Sequence, residues 1–474
     1  MDTDGAGRTR AAAGRAADDC DLVVRARRAV TPDGERAAAI GVRGGRIAWV
    51  GGFDRAARAA RTVETAADEV LLPGLVDTHV HVNEPGRTEW EGFATASRAA
   101  AAGGITTLVD MPLNSVPPTT TLGGLAAKRA AADGAVAVDV AFWGGAVPEN
   151  TGPKTAGELR RLHEAGVCGF KAFLSPSGVP EFGHLSAERL RAAAAAVGGF
   201  GGLLIVHAED PGVLAAAPAP RGRAYADFLA SRPAAAEAAA VGTAVDAARD
   251  TGTRVHLLHL SSAAGLARVA RARAAGVPVT AETCPHYLAL AAEEVPAGAT
   301  EYKCCPPIRG AADREALWRG LADGAVDCVV SDHSPSTPDL KDTAAGDFAA
   351  AWGGISGLQV GFAAVWTAAA ARGHTLADVA AWMARRPAEI AGLAGKGALA
   401  PGFDADFAVV APDSGFRVDA ASLSHRHPLT PYHGRDLLGE VRATWLRGRR
   451  VFPAAPDAAP RGRLLIRGAV PPAR

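Results

Sequence analysis

Residues 71–82 read LLPGLVDTHVHV, an apolar run that carries Asp77, His79 and His81 at alternate positions. Side chains two residues apart in a β-strand share a face, so these three point to one side. Neutral imidazoles suit zinc and neighbouring metals. The pattern predicts a buried strand with a ligand pair, His79 and His81, at its carboxyl end. Two roles stay open for Asp77, which either orients one imidazole from behind or caps the strand.

Seven further apolar runs follow this strand, and alanine-rich stretches of helical composition separate them. They cover residues 104–112, 136–145, 166–175, 202–210, 253–262, 277–287 and 326–335. Strands that alternate with helices predict a parallel sheet. Eight such units predict an α/β fold in which the sheet closes into a (β/α)8 TIM barrel.

Both ends of the chain carry short β patterns bounded by glycine and proline, such as AAIGVRGGRIAWVGG and VRATWLRGRRVF. They predict a small β-sandwich domain built from both chain termini. We therefore divide the chain into a disordered tail at 1–20 and a first sandwich part at 21–72. A metal-dependent hydrolase barrel at 73–395 and a second sandwich part at 396–474 complete the division.

The balance of charged residues limits the kinds of binding partner that we expect. Lys plus Arg and Asp plus Glu both number 50, so neither nucleic acid nor an anionic membrane is an expected partner. A small-molecule substrate fits better. The six cysteines are scattered without CxxC pairs, which argues against a disulfide framework and a thiolate zinc site. We expect a cytoplasmic protein.

Polar side chains at the carboxyl ends of the other runs are the next candidates, because TIM barrels place their chemistry there. His207 ends the fifth strand, His259 the sixth and Asp332 the eighth. A carboxylate at Asp332 can bind a metal and also accept a proton, although Asp is equally suited to cap a helix. By strand parity His256 faces away from His259, which predicts a packing or helix-facing residue.

Lys171 lies in the apolar run GFKAFL, where a charged side chain is costly. Burial lowers a lysine pKa, and the neutral amine can then take up carbon dioxide. The resulting carbamate has two oxygens that can bridge two cations. The alternative is a lysine that extends to the barrel rim. Beside four histidines on the same barrel, we predict N6-carboxylysine.

These residues form one predicted binuclear centre that binds two divalent metal ions. Zinc is the first candidate metal, and cobalt, manganese or iron would also suit the ligands. The ligands are His79, His81, carboxylated Lys171, His207, His259 and Asp332. Carbamate, Asp332 and a hydroxide offset part of the metal charge, so the site stays a Lewis acid. Asp332 is the predicted catalytic residue, which takes the proton of the attacking water and passes it to the leaving nitrogen.

Two more histidines are not expected to be ligands. Pro285 interrupts the strand just before His286, which predicts a structural or rim position. His333 faces away from Asp332 by strand parity.

Taken together, the segments PGLVDTHVH, GFKAF, VHAED, HLSS and SDHSP resemble the cyclic amidohydrolase family, which includes allantoinase, dihydropyrimidinase (hydantoinase) and dihydroorotase. The resemblance runs from about residue 21 to the carboxyl terminus. It implies a binuclear centre with a carboxylated lysine at the matching positions, and a homo-oligomer, specifically a homotetramer.

Two positions separate the branches of this family. Dihydroorotases usually carry an arginine for the substrate carboxylate where this chain has Asn83, and hydantoinases typically carry a tyrosine where it has Pro176. The remaining segments resemble allantoinase, among them KCCPPIR, VSDHSPSTPDLK and AWGGISGLQ. The resemblance implies hydrolysis of the hydantoin ring of allantoin to allantoate, in purine catabolism.

Substrate contacts are predicted at Ser334, Cys305 and Asn83, with helix capping as the alternative for Ser334. A broad-specificity hydantoinase is the rival enzyme. A non-catalytic scaffold on the same fold is less favoured, because such proteins usually lose metal ligands and this chain retains all six.

Overall fold

The computed structural model describes residues 19–152, 154–455 and 458–468. Residues 1–18 of the predicted tail lie outside the described residues. The first strand begins at Asp19, within the range predicted for the tail. Five strands precede the barrel: β1 (Asp19–Thr31), β2 (Gly34–Arg43), β3 (Arg46–Gly51), β4 (Arg58–Glu64) and β5 (Val70–Pro73).

The predicted barrel is confirmed, with one strand in each predicted run. Its strands are β6 (Leu75–Val80), β7 (Ile105–Asp110), β8 (Asp139–Phe142) with its continuation β9 (Gly144–Gly145), β10 (Phe170–Phe173), β11 (Leu203–His207), β12 (Arg254–Leu257), β13 (Val279–Thr283) and β14 (Cys328–Val329). Neighbouring strands pair in parallel from β6 to β8 and from β9 to β14. A parallel bridge between Val80 and His333 joins the last strand to the first and closes the barrel.

Helices cover the barrel with their alanine-rich faces. They are α1 (Phe93–Ala102), α2 (Leu122–Ala132), α3 (Gly157–Glu164), α4 (Ala187–Gly198), α5 (Pro211–Ala216), α6 (Tyr225–Ser231), α7 (Ala234–Thr251), α8 (Ala263–Ala274), α9 (Pro285–Ala289), α10 (Ala311–Ala322), α11 (Pro338–Lys341), α12 (Gly361–Ala370), α13 (Leu376–Ala380) and α14 (Arg386–Ala391). Buried residues of α4 and α7 join the apolar strand residues in one core. Among the described residues, no helix has the length and apolar character that a membrane span requires.

Three strands near the carboxyl end return to the amino-terminal strands: β15 (Phe407–Arg417), β16 (Asp436–Leu446) and β17 (Arg449–Phe452). β15 pairs antiparallel with β5, so both ends of the chain contribute to one eight-stranded sheet. Leu22, Ile40, Phe407 and Trp445 form part of a separate hydrophobic core. The predicted β-rich domain from both termini is confirmed, while its exact residue bounds stay a prediction.

A buried ion cluster connects this domain to the barrel. Lys396 Nζ lies 2.6 Å from Asp139 at the start of β8, 2.9 Å from Asp404 and 2.7 Å from Asp406. Arg447 also pairs with Asp139. The cluster thus pairs three buried carboxylates with a lysine and an arginine where the two domains meet.

Candidate metal centre

β6 positions the first two candidate ligands. His79 is fully buried, and its Nδ1 donates to Glu282 Oε1 on β13 at 2.5 Å. His79 Nε2 lies 3.1 Å and His81 Nε2 lies 3.4 Å from the same oxygen, Asp332 Oδ1. Two imidazoles and one carboxylate therefore converge on one point at the barrel mouth.

β11 and β12 bring two more histidines to the same region. His207 Nε2 donates to Glu209 Oε2 at 2.9 Å, and Arg232 holds Glu209 through two nitrogens. Since Glu209 accepts at Nε2, the Nδ1 of His207 keeps its lone pair. That Nδ1 lies 2.9 Å from His259 Nε2, so these two ring nitrogens point into a common space.

Lys171 projects from β10 into the same region. The residue is 1% exposed, and its Nζ lies 4.8 Å from the Phe173 ring centroid. In the described part of the chain this amine has no hydrogen bond and no ion pair. Burial lowers the pKa of Lys171 to about 8. The amine is therefore more easily neutral than an exposed lysine, as carbamate formation requires.

Asp332 follows β14 in a left-handed backbone conformation with φ 46°. Burial opposes ionisation, but attraction to His79 and hydrogen bonds from His79 and His81 outweigh it and hold the pKa of Asp332 well below its usual range. The helix-cap alternative is wrong, because α11 begins only at Pro338 and its cap residue is Thr337.

The charge state of the site favours a bound cation. Burial lowers the pKa of His81 to about 4 and lowers the pKa values of His207 and His259, so these three imidazoles are neutral at pH 7. Burial also acts against a charged His79, yet Asp332 and Glu282 raise its pKa. A site that raises an imidazole pKa despite burial attracts positive charge, and a metal ion can displace that proton.

Two carboxylates set the orientation of these rings, and sequence reasoning missed both. Glu282 accepts from His79 through one oxygen and from His256 Nε2 through the other at 2.9 Å. Glu209 accepts from both His207 and Arg232 through Oε2, and from Arg232 again through Oε1. For Glu282 the signal was available, because a carboxylate inside an apolar barrel strand is as unusual as Lys171. Glu209 lies two residues beyond the end of β11.

The structure distinguishes between the two predicted roles of Asp77, which are to orient an imidazole or to cap the strand. Its carboxylate accepts from the backbone N–H of His79 at 3.1 Å and from that of Ser331 at 3.1 Å. It touches no imidazole in the described structure, so the ring-orienting alternative is wrong. Asp77 instead ties the first barrel strand to the last.

The sequence also predicts the positions of three neighbouring histidines, which the structure describes. For His256 the helix-facing alternative is wrong and the packing alternative holds, since the residue is buried beside Glu282 within the barrel. Strand parity predicted that His256 and His259 face opposite sides, but β12 ends at Leu257 and parity does not extend beyond it. The backbone of His259 is left-handed, with φ 36°. His286 is buried rather than at the rim. His333 faces away from the centre and contacts Glu91 at 3.3 Å.

A cavity of about 680 Å³ opens directly above these residues. All six predicted metal ligands line it, as do the predicted substrate contacts Cys305 and Ser334. Asn83 does not line it, because its backbone turns with φ 69° and its side chain is fully buried against Pro335 O at 3.4 Å. The structure thus places Cys305 and Ser334, but not Asn83, in the cavity lining, and a substrate contact at Asn83 stays a prediction. Ser334 caps no helix, since the next helix begins at Pro338.

The donor set fits two divalent cations. Neutral imidazoles, a carboxylate and an amine that can become a carbamate are ligands for zinc and its neighbours. His79, His259 and Asp332 already bring one ligand atom each to within 4.8 Å of one another. The arrangement can therefore hold a metal-activated water beneath a substrate-sized cavity.

Known proteins with similar sequences and structures agree with this geometry. Residues 70–451 match the model of the amidohydrolase family. The chain is 59% identical to a Streptomyces avermitilis protein named allantoinase, over 95% of this chain and 99% of that one. It is 42% identical to the Saccharomyces cerevisiae allantoinase, over 82% of this chain and 84% of the relative.

Among solved structures, the L-hydantoinase (dihydropyrimidinase) from Arthrobacter aurescens superposes with a TM-score of 0.84 at 30% identity. The match covers 94% of this chain and 98% of that structure. This chain belongs to the amidohydrolase family.

Proposed function

We propose that this protein is a metal-dependent hydrolase that opens the hydantoin ring of allantoin to give allantoate. The observation that carries the proposal is the convergence of six metal-type ligands beneath one cavity of about 680 Å³. The relatives named allantoinase supply the substrate, because the match at 59% identity extends over nearly the whole of both chains. The barrel domain at 73–395 would carry the chemistry.

The proposed ligands are those predicted from the sequence: His79, His81, Lys171, His207, His259 and Asp332. Lys171 would bind as its carbamate, formed from carbon dioxide by the neutral amine. Two bound divalent cations would lower the pKa of a shared water and polarise the ring carbonyl that is attacked. Zinc is the first candidate metal, with cobalt, manganese or iron as alternatives.

Asp332 is the proposed catalytic residue. Its low pKa keeps the carboxylate ionised at neutral pH, so it can accept a proton from the attacking water. When the amide bond breaks, the same carboxyl group would return this proton to the ring nitrogen that leaves. The transfer restores the ionised carboxylate for the next cycle.

Glu282 and Glu209 would keep the ligand imidazoles in the required tautomer. Glu282 accepts the Nδ1 hydrogen of His79, which leaves Nε2 free for a metal. Glu209 accepts the Nε2 hydrogen of His207, which leaves Nδ1 free. Such outer carboxylates raise the basicity of a ligand histidine and fix its orientation.

The neutral substrate agrees with the residues above the metal site. Cys305 and Ser334 line the cavity and are the proposed substrate contacts. Burial raises the pKa of the Cys305 thiol, so it stays protonated and can donate a hydrogen bond. A homotetramer and a reducing, cytoplasmic location complete the proposal, and the six free cysteines support the reducing location.

An assay of purified, metal-loaded protein tests the proposal. Separate samples carry zinc, cobalt or manganese, and each receives allantoin, hydantoin, dihydrouracil or dihydroorotate. We expect allantoin to be turned over with the highest kcat/KM and allantoate to accumulate. Good turnover of hydantoin or dihydrouracil without turnover of allantoin would reject the proposal.

One observation favours a second candidate, a broad-specificity hydantoinase: the structural match to a hydantoinase at a TM-score of 0.84. Pro176 lines the cavity at the position where that branch typically carries tyrosine, which argues against this candidate. Similar kcat/KM values for allantoin and several other hydantoins would favour it.

A further inference from the structure

The proposed ligand His259 is supported differently from two of the other ligand histidines. Glu282 contacts the ring of His79, and Glu209 contacts the ring of His207. The Nδ1 of His259 is buried without a hydrogen-bond partner in the described structure, and its backbone is left-handed with φ 36°. A non-glycine residue holds that conformation only where its surroundings impose it. The support of the loop after β12 therefore decides where His259 lies.

A carboxylate on helix α7 supplies this support. Glu237 Oε1 accepts from the backbone N–H of Ser261 at 3.0 Å and from that of Ser262 at 3.2 Å. Its Oε2 accepts from the Ser261 hydroxyl. Ser262 is the cap residue of α8, and the amino end of a helix favours a negative charge. One carboxylate thus fixes the chain immediately after His259.

Arg309 joins this carboxylate to a second ligand histidine. Its Nη2 lies 3.4 Å from Glu237 Oε2, and its Nε donates to Ser261 Oγ at 3.0 Å. Its Nη1 donates to the backbone oxygen of Arg232 at 3.0 Å. The Arg232 side chain in turn holds the carboxylate that contacts His207. The network therefore connects the loop after β12 with the residues that orient His207.

This ion pair is deeply buried. Glu237 is 2% exposed and Arg309 is 5% exposed. A Cβ at Gly265 would lie only 2.6 Å from Glu237 Oε1, so the glycine leaves the space that the carboxylate occupies. A buried ion pair seldom stabilises a fold more than apolar residues of similar volume. Its contribution is therefore expected in the geometry of the loop that it holds.

The proposed ligands His79 and His81 have a separate support. Asp110 accepts from the backbone N–H of Val82 at 2.9 Å and is paired with Lys128. In the described structure, no hydrogen bond or ion pair joins this support to the carboxylate on α7. A defect in one support should therefore weaken one half of the metal centre and spare the other.

We propose that Glu237 and Arg309 position His207 and His259, and thereby control the binding of one metal ion of the two. The ring nitrogens of these histidines lie 2.9 Å apart, so one ion can bind both. Neither Glu237 nor Arg309 is among the described residues that line the cavity, so both are positioning residues. The inference rests on the proposed function and deepens it.

The test returns zinc to the metal-free protein in competition with a chromophoric chelator, which resolves two binding steps per chain. Wild type is compared with Glu237→Gln and with the double variant Glu237→Gln/Arg309→Met. The double variant leaves no unpaired charge buried, so it should fold. In both variants we expect one step to weaken about 10–100-fold, while the other changes less than about threefold.

Two further variants separate positioning from general stability. Arg309→Lys keeps the charge but not the planar fork, so it should weaken the same step less than the double variant does. Lys396→Met breaks a different buried ion cluster, whose carboxylates are not proposed metal ligands. It should lower the urea midpoint and leave both zinc-binding steps within about threefold of the wild type.

Hydrogen exchange of the metal-free protein gives a readout that does not depend on zinc. Ser261 and Ser262 lose their charged acceptor in Glu237→Gln, so their amides should exchange about tenfold faster than in the wild type. The amide of Val82, which Asp110 accepts, should keep its wild-type rate.

The inference would be overturned by equal weakening of both zinc-binding steps in Glu237→Gln, by no change in either step, or by unchanged exchange at Ser261 and Ser262. Failure of the proposed function is seen separately. It would appear as a wild-type protein that binds two zinc ions and does not turn over allantoin.

Discussion

Two buried clusters in this protein bring together side chains that can bind a metal, and they differ in the cations beside them. His79, His259 and Asp332 lie at the carboxyl end of the barrel strands, whereas Asp139 and Asp406 lie where the barrel meets the β-rich domain. Each cluster brings three potential ligand atoms, Asp404 included in the second, to within 4.8 Å of one another. A search for acidic or histidine clusters alone would treat them as equivalent.

The clusters differ in their cations. Lys396 contacts all three carboxylates of the interdomain cluster, and Arg447 adds a second positive charge. At the barrel mouth, Asp332 contacts the imidazoles of His79 and His81, and Lys171 makes no ion pair in the described structure. We call this group at the barrel mouth the unpaired cluster, because no lysine or arginine forms an ion pair with Asp332 in the described structure. Buried charges are normally neutralised, so this cluster is the one that calls for a metal.

The largest expected effect belongs to Lys171. Lys171→Ala should lower kcat about 1,000-fold or more, because it removes the proposed bridging ligand and with it several kcal/mol of transition-state stabilisation. Metal content should fall as well. Short carboxylic acids added to the variant should restore part of the activity, since they supply the missing anion. Full activity without additives would reject the bridging role.

Lys396→Met tests the interdomain cluster, which we expect to affect stability and not metal binding. Without Lys396 the three carboxylates lose their shared partner, which should lower the free energy of unfolding by about 3–5 kcal/mol. Urea unfolding measures this loss. Metal content per folded chain should stay at the wild-type value, and a loss of metal at unchanged stability would show that the two clusters had been assigned the wrong roles.

Glu282→Gln should have a smaller effect on the metal centre. The amide is nearly isosteric but no longer charged, so His79 loses the partner that fixes its tautomer. We expect metal affinity to fall about 10–100-fold, measured by competition with a chelator. Unchanged affinity would mean that Glu282 serves only to pack the barrel interior.

The smallest expected effect is that of an exposed ion pair, which serves as a reference for the buried cluster. Arg27 and Glu64 form an ion pair in which the side chains are 61% and 47% exposed. Arg27→Ala should change the free energy of unfolding by only about 0–1 kcal/mol in the same urea experiment. A loss as large as that of Lys396→Met would show that burial does not separate the two kinds of pair.

Much of the fold could be predicted because barrel strands are buried on both faces and leave continuous apolar runs. The polar exceptions in those runs, such as His207 and Lys171, marked the candidate site for the same reason. Strand parity was reliable only inside strands. It failed at His259, where a left-handed backbone follows the strand end, and local sequence gives no signal for that turn.

Long-range contacts were beyond prediction. The Lys396 cluster joins residues separated by 257 positions, and its members look like ordinary surface charges in the sequence. Asn83 was expected to face the substrate on the basis of its position after the histidine pair. Its backbone has φ 69° and its buried side chain contacts Pro335 O, so it is not among the residues that line the cavity.

The central claim is that the unpaired cluster, and not the paired one, holds metal. Elemental analysis of the purified protein after growth with zinc measures this most directly. The account predicts two metal ions per chain in the wild type and in Asp406→Ala, and fewer in Lys171→Ala. A wild-type protein without bound metal, or one whose metal is lost in Asp406→Ala and kept in Lys171→Ala, would contradict it.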